Sequence, residues 1–312
     1  MKKSMRDGFG EALLELGEKN PDIVVLTADL AKSTRVKEFA DKFPERFFQV
    51  GVAEQSLVTV ASGMAAAGKI PFTTSYAVFS PGRTFEQIKI AALSGLPIKI
   101  VGAHAGFGPS MYGATHQSLE DIALMRVIPD IVVESPADYE EAKKATFALA
   151  ENGKPSYLRL ARQESEVFSK GGFEIGKATV LREGKDPQAA IIGCGPILAE
   201  GLAAAEELSE IGIETRVINC HTVKPIDDIA ITNAARLCGG VVTIEEHQIF
   251  GGLGSAVSEV LVQGHHVPME FIGVRDSFGE SAKTYQELWK RHGLTKENVT
   301  EAVKRIIIRK NQ

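Results

Sequence analysis

Glu54 is a lone carboxylate in the run Val50-Gly-Val-Ala-Glu-Gln-Ser-Leu57, which continues without a charge to Gly68. So many small and apolar residues predict a buried helix pressed closely on its neighbours, with Glu54 where the chain enters it. Taking a carboxylate out of water is costly unless something pairs with it. A carboxyl that stays protonated there, or shares a proton with a ligand, acquires the raised pKa of an acid/base catalyst. The alternative is a Glu at a helix N-terminus, its charge met by free backbone N–H groups. The segment by itself leaves both readings open.

The other residues able to do chemistry gather after the predicted strands. Thr27-Ala-Asp29-Leu30-Ala-Lys-Ser33 follows one strand. Gly102-Ala-His104-Ala-Gly-Phe-Gly108 follows another and runs on through Tyr112-Gly-Ala-Thr-His116-Gln117, and Ala161-Arg162-Gln163 follows a third. Ligands of open α/β sheets sit beyond the carboxyl ends of the strands. One His is most often structural, and one Arg is most often a surface charge. Two His, an Asp and an Arg at one sheet edge are better explained by a site.

The elements that must position them alternate along the chain. A helix over Arg6–Lys19 precedes a strand at Ile23–Thr27, and Phe47–Val50 is a short strand. After the apolar helix, Ile70–Ser75 is a strand and Phe85–Leu93 a helix. Strands at Ile98–Ala103, Asp130–Glu134 and Ser156–Leu160 alternate with helices at Leu119–Met125 and Ala137–Ala150. This is the signature of a parallel sheet with helices on both faces. Residues 163–187 break the rhythm. Strands then follow at Ala189–Gly193, Glu214–Asn219, Gly240–Ile244 and Met269–Gly273, with a helix at Ile197–Ile211. The expected fold class is α/β with two domains, each a mostly parallel sheet flanked by helices. The domains are read as 1–165 and 187–312, with 166–186 as linker, and no sequence repeat of fixed period joins them.

Composition narrows the function classes. The 312 residues are 44% hydrophobic and 24% charged, with a net charge of −5. That balance is globular and carries no electrostatic footprint for nucleic acid. The three cysteines, Cys194, Cys220 and Cys238, form no CxxC pair and read as reduced core thiols of a cytoplasmic protein. The basic N-terminus lacks the apolar stretch of a signal peptide. The uncharged run at 50–68 is too rich in Gly, Ala, Ser and Thr for a membrane span.

Six stretches of the first 165 residues carry a family resemblance. They are Thr27-Ala-Asp-Leu30, Gly51-Val-Ala-Glu-Gln55, Tyr76-Ala-Val-Phe-Ser-Pro-Gly-Arg83, Ala103-His-Ala-Gly106, Gly113-Ala-Thr-His-Gln117 and Ala161-Arg-Gln163. In this order and spacing they resemble the pyrimidine-binding domain of the transketolase family of thiamine-diphosphate enzymes. Residues 187–312, with Val241-Val-Thr-Ile-Glu-Glu-His247 and Gly251-Gly-Leu-Gly254, resemble that family's C-terminal domain. The likeness spans nearly the whole chain but only the C-terminal half of a full-length transketolase. It is greatest to the small subunit of split transketolases, which implies transfer of a two-carbon ketol unit from a ketose phosphate to an aldose.

The resemblance also implies roles. Glu54 would hydrogen-bond the aminopyrimidine and favour its imino tautomer, whose nitrogen takes the thiazolium proton. Phe79 would stack on that ring with Tyr76 on the same wall, though both are equally core-packing types, and Asp29 and Leu30 would touch the cofactor. His104 and His116 would line the donor channel and steady the alkoxide formed in attack. Arg162, Arg6 and Ser33 match phosphate-binding positions, and Arg83, close to Phe79, is a further ligand candidate. His221, His247, His265, His266 and His292 are read as structural or exposed.

Some of the family's machinery is missing. The Gly-Asp-Gly of its diphosphate- and magnesium-binding domain does not occur, and Gly193-Cys-Gly195 reads as a tight βα turn. The chain is therefore expected to hold no metal and to complete its site with a larger subunit carrying diphosphate and Mg²⁺, as an α₂β₂ assembly. Tyr112 stands where ordinary transketolases have an Asp that recognises a donor hydroxyl, which points to an unusual donor. The alternatives are the β subunit of a 2-oxoacid dehydrogenase-type enzyme and a non-catalytic assembly or regulatory paralogue.

Overall fold

The structure is a computed structural model and describes residues 2–169 and 171–310. Its first sheet has seven strands in the order Phe47–Gln49, Ile23–Thr27, Ile70–Tyr76, Lys99–Ala105, Ser156–Ala161, Val132–Glu134 and Thr222–Lys224. The first six are parallel, so their carboxyl ends share one edge. Ile23–Thr27 is apolar or β-branched throughout and buried at all five positions, as a strand covered on both faces must be.

The helix Met5–Lys19 buries Met5, Phe9, Ala12, Leu13 and Leu16, the spacing of one helical face. It packs on the helix Tyr139–Glu151. Gly8 makes this approach possible, since a Cβ there would lie 2.4 Å from the Tyr139 carbonyl oxygen. Lys2–Ser4 pairs antiparallel with Glu164–Glu166. That pairing brings Arg6 beside the turn at Arg162.

The second sheet runs Met269–Val274, Val241–Gln248, Ala189–Gly193, Thr215–Asn219 and Thr179–Arg182. Its first four strands are parallel. The helices Leu198–Glu210 and Lys296–Lys310 pack together on one face. Asp228–Cys238 and Leu253–Gly264 cover the other and share a continuous core with the first sheet, in which Ile122 and Met125 join Ile192, Leu253 and Val257. The thiols of Cys194, Cys220 and Cys238 are free and buried.

Two differences from the sequence reading concern the join. The span 166–186 contains Thr179–Arg182, an antiparallel edge strand of the second sheet. In the other direction, Thr222–Lys224 leaves the second half to extend the first sheet. Both are edge strands with one neighbour, so short, irregular sequences suffice. No helix among the described residues is long and apolar enough to cross a membrane.

The helix Glu54–Ala66 buries Glu54, Leu57, Val58, Ala61 and Ala65. Its opposite face is exposed yet uncharged, with Val60 and, on the neighbouring helix Phe85–Leu93, Ile90 and Leu93 open to solvent. This accounts for the lack of charge through 55–68 better than burial within the chain does.

Candidate active site

The first sheet gathers the candidate residues at its carboxyl edge by ending its strands there. Asp29 follows Ile23–Thr27, Tyr76 ends Ile70–Tyr76, and Arg162 follows Ser156–Ala161. The strand Lys99–Ala105 runs further than its sequence suggests, so His104 lies within it and not in the loop beyond. Asp29, Arg35 and His104 all adopt left-handed backbone, with φ of 60°, 64° and 59°. Such strain in non-glycine residues concentrates at functional sites.

Glu54 is the first residue of its helix and only 4% exposed. Its partners are side chains: the Ser75 hydroxyl donates to Oε1 and Arg83 Nη1 to Oε2, each at 3.3 Å. The sequence pairs this carboxylate only with a ligand or with backbone N–H groups. Arg83, 29 residues away in sequence, supplies a side-chain partner instead. The Arg83 guanidinium also lies 4.2 Å over the Phe79 ring, so it stands at the Glu54 end of the site. Its side chain is 54% exposed, leaving the pair accessible from one side.

An arc of rings extends from there. Phe79 stacks with Tyr76 at 6.1 Å between centroids, and Tyr76 with His104 at 4.0 Å. His116 meets Phe79 edge-on at 5.5 Å, and Tyr112 tilts against His116 at 5.3 Å. The Thr115 hydroxyl and His116 Nδ1 are 3.0 Å apart. Tyr112 ends the short turn Ser110–Tyr112 and sits exposed at the rim beside Met111.

The third group is cationic. Arg6 donates from Nη1 to the Ser33 carbonyl and from Nη2 to the Arg162 carbonyl, both at 2.9 Å, strapping two strand-end turns together. Its Nε is buried without a partner. Burial, with Arg35 and Arg162 nearby, pushes the Arg6 guanidinium down to about 10. Burial first, and then the charges of Arg6, Arg162 and Arg35, push His104 down to about 3. His104 is therefore a neutral imidazole, and its buried Nδ1 has no partner. Cations crowded at this density are stabilised by an anion arriving among them.

Asp29, Leu30 and Ser33 form the remaining wall. Gln49 Oε1 accepts from the Asp29 N–H at 2.7 Å, and the Ser33 hydroxyl donates to the Leu30 carbonyl at 3.1 Å. Gln49, Ser75 and Arg35 were missed in the sequence. Gln49 and Ser75 lie at strand ends on the site edge, a signal that was available. The left-handed backbone of Arg35 left no mark in the sequence. Among the described residues no group of three or more His, Cys, Asp or Glu side chains could hold a metal ion.

Two family models cover most of the chain. Residues 1–166 match the transketolase pyrimidine-binding domain, and residues 176–299 match the transketolase C-terminal domain. The 6-deoxy-6-sulfo-D-fructose transketolase subunit SqwH of Clostridium sp. is 41% identical over 98% of this chain and 95% of its own. One of the subunits of the apulose-4-phosphate transketolase of Phocaeicola vulgatus is 36% identical over 94% of each chain. A solved split-gene transketolase, an inactive β4 tetramer, superimposes with a TM-score of 0.90 at 44% identity over 98% of each chain. With both domains matched in order and split subunits matched from end to end, the chain belongs to the transketolase family.

Proposed function

We propose that this chain is the small subunit of a thiamine-diphosphate-dependent transketolase, moving a two-carbon ketol unit from a ketose phosphate to an aldose. The observation that carries this reading is the buried Glu54 carboxylate, paired with the Arg83 guanidinium that lies over the Phe79 ring, in a chain matched throughout by split transketolase subunits. The exposed, uncharged face of Glu54–Ala66 supports a larger partner subunit docking there. That partner would hold the diphosphate and Mg²⁺, giving an α₂β₂ assembly with sites at subunit interfaces. The inactivity of the related β4 tetramer is consistent with a chain that needs such a partner.

The residues fit the cofactor. A ring stacking on Phe79 would take the place of the half-exposed Arg83 guanidinium, and its aminopyrimidine nitrogen would replace the 3.3 Å contact that Glu54 gives up. When bound, thiamine diphosphate supplies the carbanion on which ketol transfer depends. Glu54 would hold a proton at the aminopyrimidine nitrogen and favour the tautomer the chemistry needs. Tyr76 and Phe79 would stack against the ring, and Asp29 and Leu30 would contribute a wall of its pocket. His104, kept neutral by its burial among Arg6, Arg162 and Arg35, would hydrogen-bond the donor's oxygens without adding a charge, and His116, edge-on to Phe79, would line the same channel. Arg6, Arg162 and Ser33 surround the anionic end of the substrate. Tyr112, in the place of an Asp, changes which hydroxyl is recognised. Relatives acting on a sulfofructose and on apulose 4-phosphate support an unusual donor for this chain also.

Titrating thiamine diphosphate with Mg²⁺ into this chain alone, and into this chain mixed with its partner, tests the reading. Saturable binding by the mixture alone is expected. Absence of binding by the mixture would leave the assembly paralogue, and co-purification of a lipoyl domain would favour the 2-oxoacid dehydrogenase alternative.

A further inference from the structure

Glu246 belongs to the second sheet, yet its side chain reaches the candidate site. It is 2% exposed on the strand Val241–Gln248. Its Oε1 accepts from the Phe107 backbone N–H at 2.9 Å and from Trp289 Nε1 at 2.7 Å. Its Oε2 is buried and has no partner. Gly106, at φ +67°, lies against this carboxylate, and a Cβ there would sit 2.5 Å from the Glu246 Cδ. The backbone carbonyl of Glu246 accepts from Arg159 Nη2 at 2.9 Å.

These contacts fall on the two arms of the site. Gly106 and Phe107 are the joint between His104 and the loop that carries Tyr112 and His116. Arg159 lies on the strand that delivers Arg162, held by a buried ion pair to Asp121 at 2.7 Å. The same lobe braces the far end of the loop, where the Ala282 N–H donates to the Ser110 carbonyl at 3.0 Å and Gln117 Nε2 to the Glu280 carbonyl at 2.9 Å. A buried carboxylate is a strong acceptor, and losing it leaves two donors unpaired in the interior.

We infer that Glu246 is a positioning residue through which the C-terminal lobe sets the placement of the substrate loop 106–117. This rests on the transketolase reading above. The chain has a single tryptophan, and its indole N–H bonds the same carboxylate. Trp289 therefore reports the state of this joint without any mutation.

The test uses the two-subunit complex with thiamine diphosphate and Mg²⁺, with this chain alone carrying 5-fluorotryptophan. Xylulose 5-phosphate is added as probe, and inorganic phosphate in a parallel sample. A shift of the single ¹⁹F line is expected at saturating xylulose 5-phosphate, a donor that should bind weakly but reach the loop, and a line unmoved by both probes at saturation would overturn the inference. In the same complex, Glu246→Ala should raise the donor KM about tenfold with cofactor affinity unchanged and kcat little affected. Glu246→Gln, which keeps an acceptor oxygen, should restore most of the loss. Equal falls in kcat and cofactor affinity, without rescue by Gln, would show a merely structural role. Should Glu246→Ala fail to assemble, Trp289→Phe removes one bond to the carboxylate and should raise the donor KM in the same selective way. A complex that binds thiamine diphosphate yet transfers no ketol group from any donor would fail the functional reading instead, and the ¹⁹F measurement would still decide this one.

Discussion

Replacing Glu54 by Gln separates the proton at this position from its packing. Gln has nearly the same shape and keeps an oxygen for the Ser75 hydroxyl now 3.3 Å from Oε1. What is lost is the attraction to Arg83, whose side chain is 54% exposed. Such a pair is worth roughly 0.2–1 kcal/mol, so the melting temperature should scarcely move. Cofactor binding should weaken by about 1 kcal/mol, the net value of one altered hydrogen bond. Turnover depends on a carboxylate exchanging a proton with the ring nitrogen, which an amide cannot do. The fall should reach at least ~10²-fold, equivalent to roughly 2.7 kcal/mol of barrier. The assay is ketol transfer by the two-subunit complex at saturating thiamine diphosphate and Mg²⁺, with the melting curve recorded on the same sample. Turnover within about twofold of the parent, in a complex shown to be cofactor-saturated, would refute the role assigned to Glu54.

Other perturbations follow from the same geometry. Tyr112→Asp should move donor preference toward xylulose 5-phosphate, because an Asp accepts from a hydroxyl where a Tyr is neutral and bulkier. Parent kcat/KM above ~10⁴ M⁻¹s⁻¹ for that donor, unaltered by the substitution, would make Tyr112 only a wall of the channel. His104, pushed down to about 3 by burial and then by Arg6, Arg162 and Arg35, is neutral in the folded state but protonates in the unfolded chain below about 6.5. It contributes stability above that pH which is lost as pH falls toward 3. His104→Asn should therefore flatten the acid limb of a melting-temperature profile, and an unchanged slope between about pH 6.5 and 4 would contradict this. Burial pushes Lys99, 1% exposed, down to about 7. Its folded form sheds a proton that the unfolded chain keeps to about 10.4, so stability should climb across that window and Lys99→Met should remove the climb.

Much of this could be read before the fold was known. The helix Phe85–Leu93 has the bounds its sequence suggests, and Ile23–Thr27 was visible as an unbroken apolar run. The site edge was legible because parallel strands deliver their ends to one side, so His104 and Arg162 could be grouped from chain order alone. The rest depends on tertiary contact. Nothing in the spacing of Glu54 and Arg83 marks them as partners, and the charge-free helix hid an exposed apolar face. Thr179–Arg182 and Thr222–Lys224 are short edge strands whose pairing is decided by the sheets they join. Glu246 reads as one of two adjacent carboxylates at the end of a strand, and only tertiary packing shows that it faces Trp289 within its own domain and Phe107 across the join. The helix Asp228–Cys238 did carry local signals, Asp227 as N-cap and Gly239 in left-handed backbone after its end, and these went unread.

On the proposed function, this chain holds one half of a transketolase site. Purified alone, with thiamine diphosphate, Mg²⁺, a ketose phosphate and an aldose acceptor, it should be folded and inactive. Mixed with the larger subunit, it should transfer the ketol unit in proportion to the complex formed. Turnover by the isolated chain, or a stable two-subunit complex that transfers nothing from any ketose phosphate, would contradict the proposal.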